Sequence, residues 1–230
     1  MFDTIIILTG LIERAALPAA LAGHNPNLTV LIIESPEQLA ALSAELLQRA
    51  RLIAFVTPVI VPKSVLDQLG YGAVNFHPGP PGYPGWAPAH FALYDEVDEF
   101  GATVHLMVEK VDAGPIIDLA VFPVPPDTSV FGLEGMAYAR LAFLFWRMAR
   151  ELACEISLPP EIGVPWGTHK YSRKQYLAMC DFPLDISRAE FERRMRIFGG
   201  NHFGVAPTIN LHGLEFRAIA PPETETEAAA

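Results

Sequence analysis

Apolar residues fall along the first eighty positions in short blocks divided by amphipathic stretches, so strand and helix patterns alternate. Residues 4–9 form a nearly unbroken apolar run closed by Gly10, which predicts a strand buried on both faces. A helix is expected over 13–22, with Pro18 kinking or resetting it, and a second strand over 27–33. Ser35-Pro36-Glu37 supplies a cap, a proline at the first helical position and an early acid. The helix expected from there to about residue 50 keeps Leu39, Leu42, Leu46 and Leu47 on one side. A third strand over 52–57, a short helix over 62–69 and a fourth strand over 73–77 complete this series. Such alternation predicts an α/β fold, with a mostly parallel sheet and helices on both faces. In such sheets chemistry gathers beyond the carboxyl ends of the strands, here Gly10, Thr57-Pro58 and Asn75-Phe76-His77.

The periodicity then breaks at residues 78–88, PGPPGYPGWAP, whose proline and glycine density predicts a rigid irregular loop. A helix from about Ala89, strands over 102–108 and 116–122, and a long helix over 128–153 follow. The turn Val111-Asp112-Ala113-Gly114-Pro115 joins the two strands. From Ser157 the composition changes. Short helices near Arg173 and over 189–197, then a hairpin over 208–218, predict a small C-terminal α+β subdomain. The expected division is a catalytic unit over 1–155, this subdomain over 156–220, and a disordered acidic tail over 221–230.

Composition narrows the function. Sixteen basic residues against 26 acidic ones give a formal net charge of -10. The basic stripe of a phosphate-gripping protein is missing, so a nucleic-acid partner is disfavoured. The nearest candidate, Arg188 to Arg196, interleaves glutamates and reads as a solvated helix face. Two cysteines, Cys154 and Cys180, lack metal-ribbon or redox spacing, and His24, His169, His202 and His212 show no ligand spacing. No metal is therefore expected. The acidic start and strand-length apolar runs predict neither a signal peptide nor a membrane span, which makes cytoplasmic the expected location.

Residues two apart on a strand point to one face, about 6–7 Å apart. Asn75 and His77 are thus placed to hold one small carbonyl group at the strand's exit, with Phe76 turned into the core. Asn75-Phe-His-Pro-Gly79, the Tyr83-Pro-Gly-Trp86 loop, Gly101-Ala-Thr-Val-His105 and Asp112-Ala-Gly-Pro-Ile-Ile117 occur in this order. The ordered set resembles the folate-dependent formyltransferases, among them the glycinamide ribonucleotide, methionyl-tRNA and sugar-nucleotide N-formyltransferases. The resemblance implies a Rossmann-like formyltransferase fold and places the family's catalytic triad on Asn75, His77 and Asp112. It implies 10-formyltetrahydrofolate as co-substrate, held by Thr57, Pro58, Val59 and Ile60 on one loop and Val111, Ala113 and Gly114 on another.

On that basis Asn75 and a protonated His77 donate to the oxygen of a tetrahedral centre, while Asp112 holds His77 and helps remove the amine's proton. Tyr83, Trp86 and His90 are the expected substrate contacts, although His90 reads equally well as a helix-surface residue. Thr103 is read as packing near the site, and His105 as a core or rim residue rather than a catalyst. Lys170, Tyr171, Arg173 and Lys174 suit either a pyrophosphate or a solvated helix start.

Two departures from the family bear on the acceptor. Gly79-Pro80-Pro81-Gly82 replaces the common Ser-Leu-Leu-Pro, and the segment after the first strand lacks a phosphate-cradling glycine loop. The leading expectation is therefore transfer to a small amine, such as an amino-sugar nucleotide. A methionyl-tRNA formyltransferase and a 10-formyltetrahydrofolate hydrolase stand as alternatives. Phe131, Phe143, Phe145 and Trp146 are spread around the long helix, which a homodimer interface and full burial explain equally.

Overall fold

Ile5 and Ile7 enter one core and Ile6 and Leu8 another, so the first strand is buried on both sides as its apolar run requires. The computed structural model describes residues 2–219. Its main sheet has six strands in the order β2-β1-β3-β4-β5-β6. These are β1 (Thr4–Leu8), β2 (Thr29–Ile33), β3 (Ala50–Phe55), β4 (Ala73–His77), β5 (Glu99–Leu106) and β6 (Ile116–Pro123). The first four are mutually parallel, and β5 and β6 extend the sheet antiparallel.

Helices cover both faces. On one side α1 (Ala16–His24) and α6 (Val130–Cys154) bury Leu17, Leu21, Leu141, Leu144 and Phe145 against Phe55, Val74 and Phe76. Sustained burial of this kind stabilises by about 25 cal/mol per Å² of apolar area. On the other side Leu39 and Leu47 meet Ile6, Leu52 and Ala54. The helix expected over 36–50 is two helices, α2 (Pro36–Ala40) and α3 (Ala44–Arg49). Ser43 interrupts it because its hydroxyl caps the amide of Leu46, which starts a new helix. Pro18 causes no kink. The helix starts at Ala16, so the proline falls in the first turn, where an amide hydrogen is not needed.

Arg51 on β3 is fully buried, and its guanidinium donates to the carbonyls of Tyr71, Leu152, Glu155 and Ile156. It thereby satisfies the carboxyl end of α6, whose last carbonyls have no helical partner. Burial lowers its pKa to about 10, so the group stays charged at neutral pH.

After the short helix α4 (Lys63–Leu66), the helix α5 (Pro88–Tyr94) follows the proline-rich loop. The C-terminal part adds α7 (Arg173–Cys180), β7 (Asp181–Phe182), α8 (Arg188–Phe198), a 3₁₀ turn (His202–Gly204), β8 (Thr208–Leu211) and β9 (Leu214–Arg217). The sequence pattern predicted the β8–β9 hairpin but not β7, which joins it in a three-stranded sheet. Tyr176, Cys180, Ile197 and Phe198 share one core with Ala87, Phe91 and Val130, so these residues form a layer on the main unit. The expected tail over 221–230 lies outside the described residues. No helix among the described residues is long and apolar enough to cross a membrane. On α6, Phe145 is buried, whereas Phe131, Phe143 and Trp146 are more than half exposed, at 79%, 54% and 52%. Full burial therefore does not account for them.

Candidate active site

Asn75 and His77 end β4 as the strand geometry requires, and both side chains reach Asp112. Asp112 takes a left-handed backbone conformation, with φ of 47°, that a short polar side chain tolerates. Gly114 makes the turn possible, since a β-carbon there would lie 1.9 Å from the carbonyl oxygen of Leu106.

The carboxylate of Asp112 is buried and fully engaged. Its Oδ2 accepts from the backbone N–H of Gly85 at 2.8 Å and faces His77 Nδ1 at 3.6 Å. Its Oδ1 lies 3.4 Å from the Asn75 amide nitrogen and 3.3 Å from His105 Nε2. Burial alone would raise its pKa. The hydrogen bond from His105, the proximity of His77 and the Gly85 amide outweigh that and hold it at about 2.

His77 is 4% exposed. Its Nε2 lies 3.1 Å from the carbonyl oxygen of Tyr83, which only accepts, so the ring proton sits on Nε2 and the Nδ1 lone pair faces Asp112. Burial lowers its pKa more than Asp112 raises it. That direction favours a neutral imidazole over the protonated one expected from the sequence.

His105, expected in the core or at the rim, is buried and is also part of the constellation. Its Nδ1 donates to the carbonyl of Leu106 at 2.8 Å, and its Nε2 lies 3.0 Å from the amide nitrogen of Asn75. The β4–β5 register pairs Asn75 with His105, and only that pairing reveals the contact. Thr103 donates to the carbonyl of Gly79 at 2.7 Å, tying β5 to the loop beside the site.

Trp166 was missed altogether. Its ring stands edge-on to His77 and His105, with centroids 5.8 and 5.0 Å away, and its Nε1 donates to the carbonyl of Gly114 at 2.7 Å. The strap around it is pinned at several points. Gly167 N–H donates to Pro81, Lys170 Nζ to the carbonyl of Val111, and Tyr171 N–H to Pro84. The departure at 79–82 therefore supports a segment from the C-terminal layer.

A cleft of about 90 Å³ opens beside these groups. Thr57, Pro58, Val59, Ile60 and Val111 line it, together with Met107, Asn75, His105 and Asp112. Ala113 and Gly114 do not line it. Glu109 and Lys110 also stand on its wall, so it joins apolar surface to several polar groups, a composition suited to a flat heterocycle. Such a volume is a slot rather than a chamber.

The expected substrate contacts divide. Tyr83 supplies the carbonyl that accepts from His77, and its ring stacks on Tyr171 at 5.2 Å. Trp86 turns into the C-terminal layer, against Tyr176 and Phe203 at 4.9 and 4.3 Å. His90 is fully buried, so neither the surface reading nor a pocket contact holds. Arg173 and Lys174 are exposed, and Lys170 is engaged on the strap.

The profile of the formyl transferase family matches residues 26–137, a span that contains Asn75, His77, His105 and Asp112. This segment belongs to the formyl transferase family. A methionyl-tRNA formyltransferase from Listeria monocytogenes is 34% identical over 134 residues, covering 58% of this chain and 40% of that protein. The chain thus spans well under half the length of that relative. A sugar N-formyltransferase structure from a Shewanella species superposes with a TM-score of 0.73 at 16% identity, covering 94% of this chain and 96% of its own. The N-formyltransferase of Helicobacter canadensis, in complex with folinic acid and dTDP-3-aminofucose, gives a TM-score of 0.65 at 13% identity, covering 93% and 85%. These two likenesses establish the formyltransferase fold, including the small C-terminal layer.

Proposed function

We propose that the protein is an N-formyltransferase that moves a formyl group from 10-formyltetrahydrofolate to the amine of a small substrate, an amino-sugar nucleotide being the favoured class. The observation that carries the transfer reading is that Asn75 and Asp112 line the slot together, with His77 Nδ1 3.6 Å from the Asp112 carboxylate. Support for the acceptor class comes from the end-to-end likeness to the Shewanella enzyme and from the net charge of -10, which opposes a transfer-RNA acceptor.

When bound, the folate supplies a formyl group activated on its N10 nitrogen. Thr57 to Ile60 and Val111 would hold its ring, and the Asn75 amide would turn a hydrogen from Asp112 to the formyl oxygen as negative charge develops there. A preorganised donor of this kind is worth about 3 kcal/mol of barrier. As the amine nitrogen bonds to the formyl carbon, His77 Nδ1 accepts the amine's proton. Asp112 then stabilises the imidazolium, and the same proton passes to the departing nitrogen as its bond to the formyl carbon breaks. Trp166 keeps water from the two imidazoles.

The exposed aromatic face of α6 supports a second copy of the chain as partner. Sedimentation should report a dimer, and Phe143→Glu should shift it to monomer. An unchanged state in that variant overturns the pairing.

The test of the main reading is mass-spectrometric turnover of 10-formyltetrahydrofolate against amino-sugar nucleotides, glycinamide ribonucleotide and charged initiator transfer RNA. A formylated sugar nucleotide is expected. Formylated transfer RNA would replace the acceptor assignment, and formate released without any amine would make the enzyme a hydrolase.

A further inference from the structure

Outside the slot, α5, α6 and the 3₁₀ turn bring His90, Glu134 and His202 together, with one donor atom of each within 4.8 Å of the others. His90 Nδ1 lies 3.8 Å from Glu134 Oε1, and His202 Nε2 lies 3.8 Å from Glu134 Oε2. Both gaps are too wide for hydrogen bonds. His90 is fully buried, yet its Nδ1 has no hydrogen-bond partner among the described residues. A buried ring nitrogen left that way is costly. Its other nitrogen, Nε2, lies 3.5 Å from the Tyr176 hydroxyl. One nitrogen held by a protein group and the other aimed at further donors is the orientation of a metal-binding histidine.

Distances favour the same reading. Two donors on a tetrahedral zinc ion, each about 2.0–2.1 Å from it, stand about 3.4 Å apart. Each His–Glu gap, one to either carboxylate oxygen, exceeds this by about 0.4 Å, and three donors within 4.8 Å of one another reach it by side-chain movements of up to about 1.4 Å. Two imidazoles and one carboxylate suit a borderline cation such as zinc, whereas calcium and magnesium take oxygen ligands. The Glu134 and His202 side chains are 38% and 27% exposed, which leaves an entry path and room for water as a fourth ligand. His202 also sits between Asn201 and Phe203, with φ of 51° and 57°. A left-handed phenylalanine is unfavourable unless its surroundings hold it.

We propose that His90, Glu134 and His202 bind a zinc-class divalent cation that pins the 202–204 turn to α5 and α6. The ion would hold Phe203 against Trp86, and through Trp86 the loop whose Tyr83 carbonyl orients His77. Sequence spacing gave no hint of it, because the three ligands come from remote segments that meet only when the C-terminal layer docks.

The test is calorimetric zinc titration of tag-free, chelator-treated protein, with cobalt absorption as a coordination readout, on wild type, Glu134→Gln and His202→Gln. Both variants change partly exposed side chains, and circular dichroism checks their fold. The expected result is one ion per chain and a rise in Tm on adding zinc to wild type. Affinity should fall by at least about tenfold in each variant, with the Tm response lost. No binding by wild type at about 100 µM zinc, wild-type affinity retained in either variant, or equal preference for calcium would each overturn the assignment.

Discussion

At Asp112 burial works against the charged form, while His105, His77 and the Gly85 amide work for it. Asp112→Asn and His77→Ala are each expected to lower kcat by about 10²–10⁴-fold while the protein stays folded. Near-full activity in either variant would remove that residue from the mechanism. The burial of His77 makes a prediction about pH. A base with a lowered pKa is neutral at and above the ordinary histidine value of 6.5, so kcat/KM should be flat there and fall only at lower pH. An acid limb centred above 6.5 would contradict the neutral-base assignment. For stability the sign follows from proton uptake. Below 6.5 the unfolded chain binds a proton at His77 that the folded chain does not, so stability falls as pH falls. Asp112 adds stability that is fully present above its ordinary value of 3.8 and is lost as pH drops through about 2. Urea melts at pH 7.5 and 5.5 should show the first loss, and His77→Gln should make it smaller.

Among the elements, β3 is tied to the carboxyl end of α6 through Arg51. Arg51 gives hydrogen bonds to four carbonyls, two of them on Glu155 and Ile156 just past the end of α6. Arg51→Met keeps much of the volume and leaves those carbonyls without a donor. We expect it to cost roughly 3 kcal/mol by urea denaturation, with activity per folded molecule retained. A loss below about 0.5 kcal/mol would mean that water replaces the guanidinium. The loop bearing Gly85 is equally constrained, because its φ is 101° and a β-carbon there would lie 2.1 Å from the carbonyl oxygen of Tyr171. Gly85→Ala should displace the amide that holds Asp112, lowering kcat more than it lowers Tm. The reverse order would make this glycine a folding residue only.

Across the whole molecule the C-terminal layer contributes to the site as well as to the core. Its strap lays Trp166 over both histidines and anchors on Gly114, Pro81, Val111 and Pro84. Trp166→Ala removes the cover while leaving the backbone anchors in place. It should reduce turnover by about tenfold or more and increase formate release relative to transfer, measured in the same assay. Unchanged partition between amine and water would show that the tryptophan packs without excluding solvent.

What the sequence determined by itself was everything set by local pattern. The apolar block of β1, the alternation around it and the proline after His77 specify a parallel sheet and a strand exit bearing Asn75 and His77. These follow from side-chain period and backbone restriction, which act over a few residues. The ordered motifs added Asp112. Only the tertiary structure decided that His105 joins them, since its contact with Asn75 depends on the antiparallel register of β4 and β5. It also decided that Trp166 covers the pair and that His90 faces Glu134 and His202 instead of the slot. Each of these depends on packing between segments far apart in the chain, where burial and shape select the partner and no local period records it.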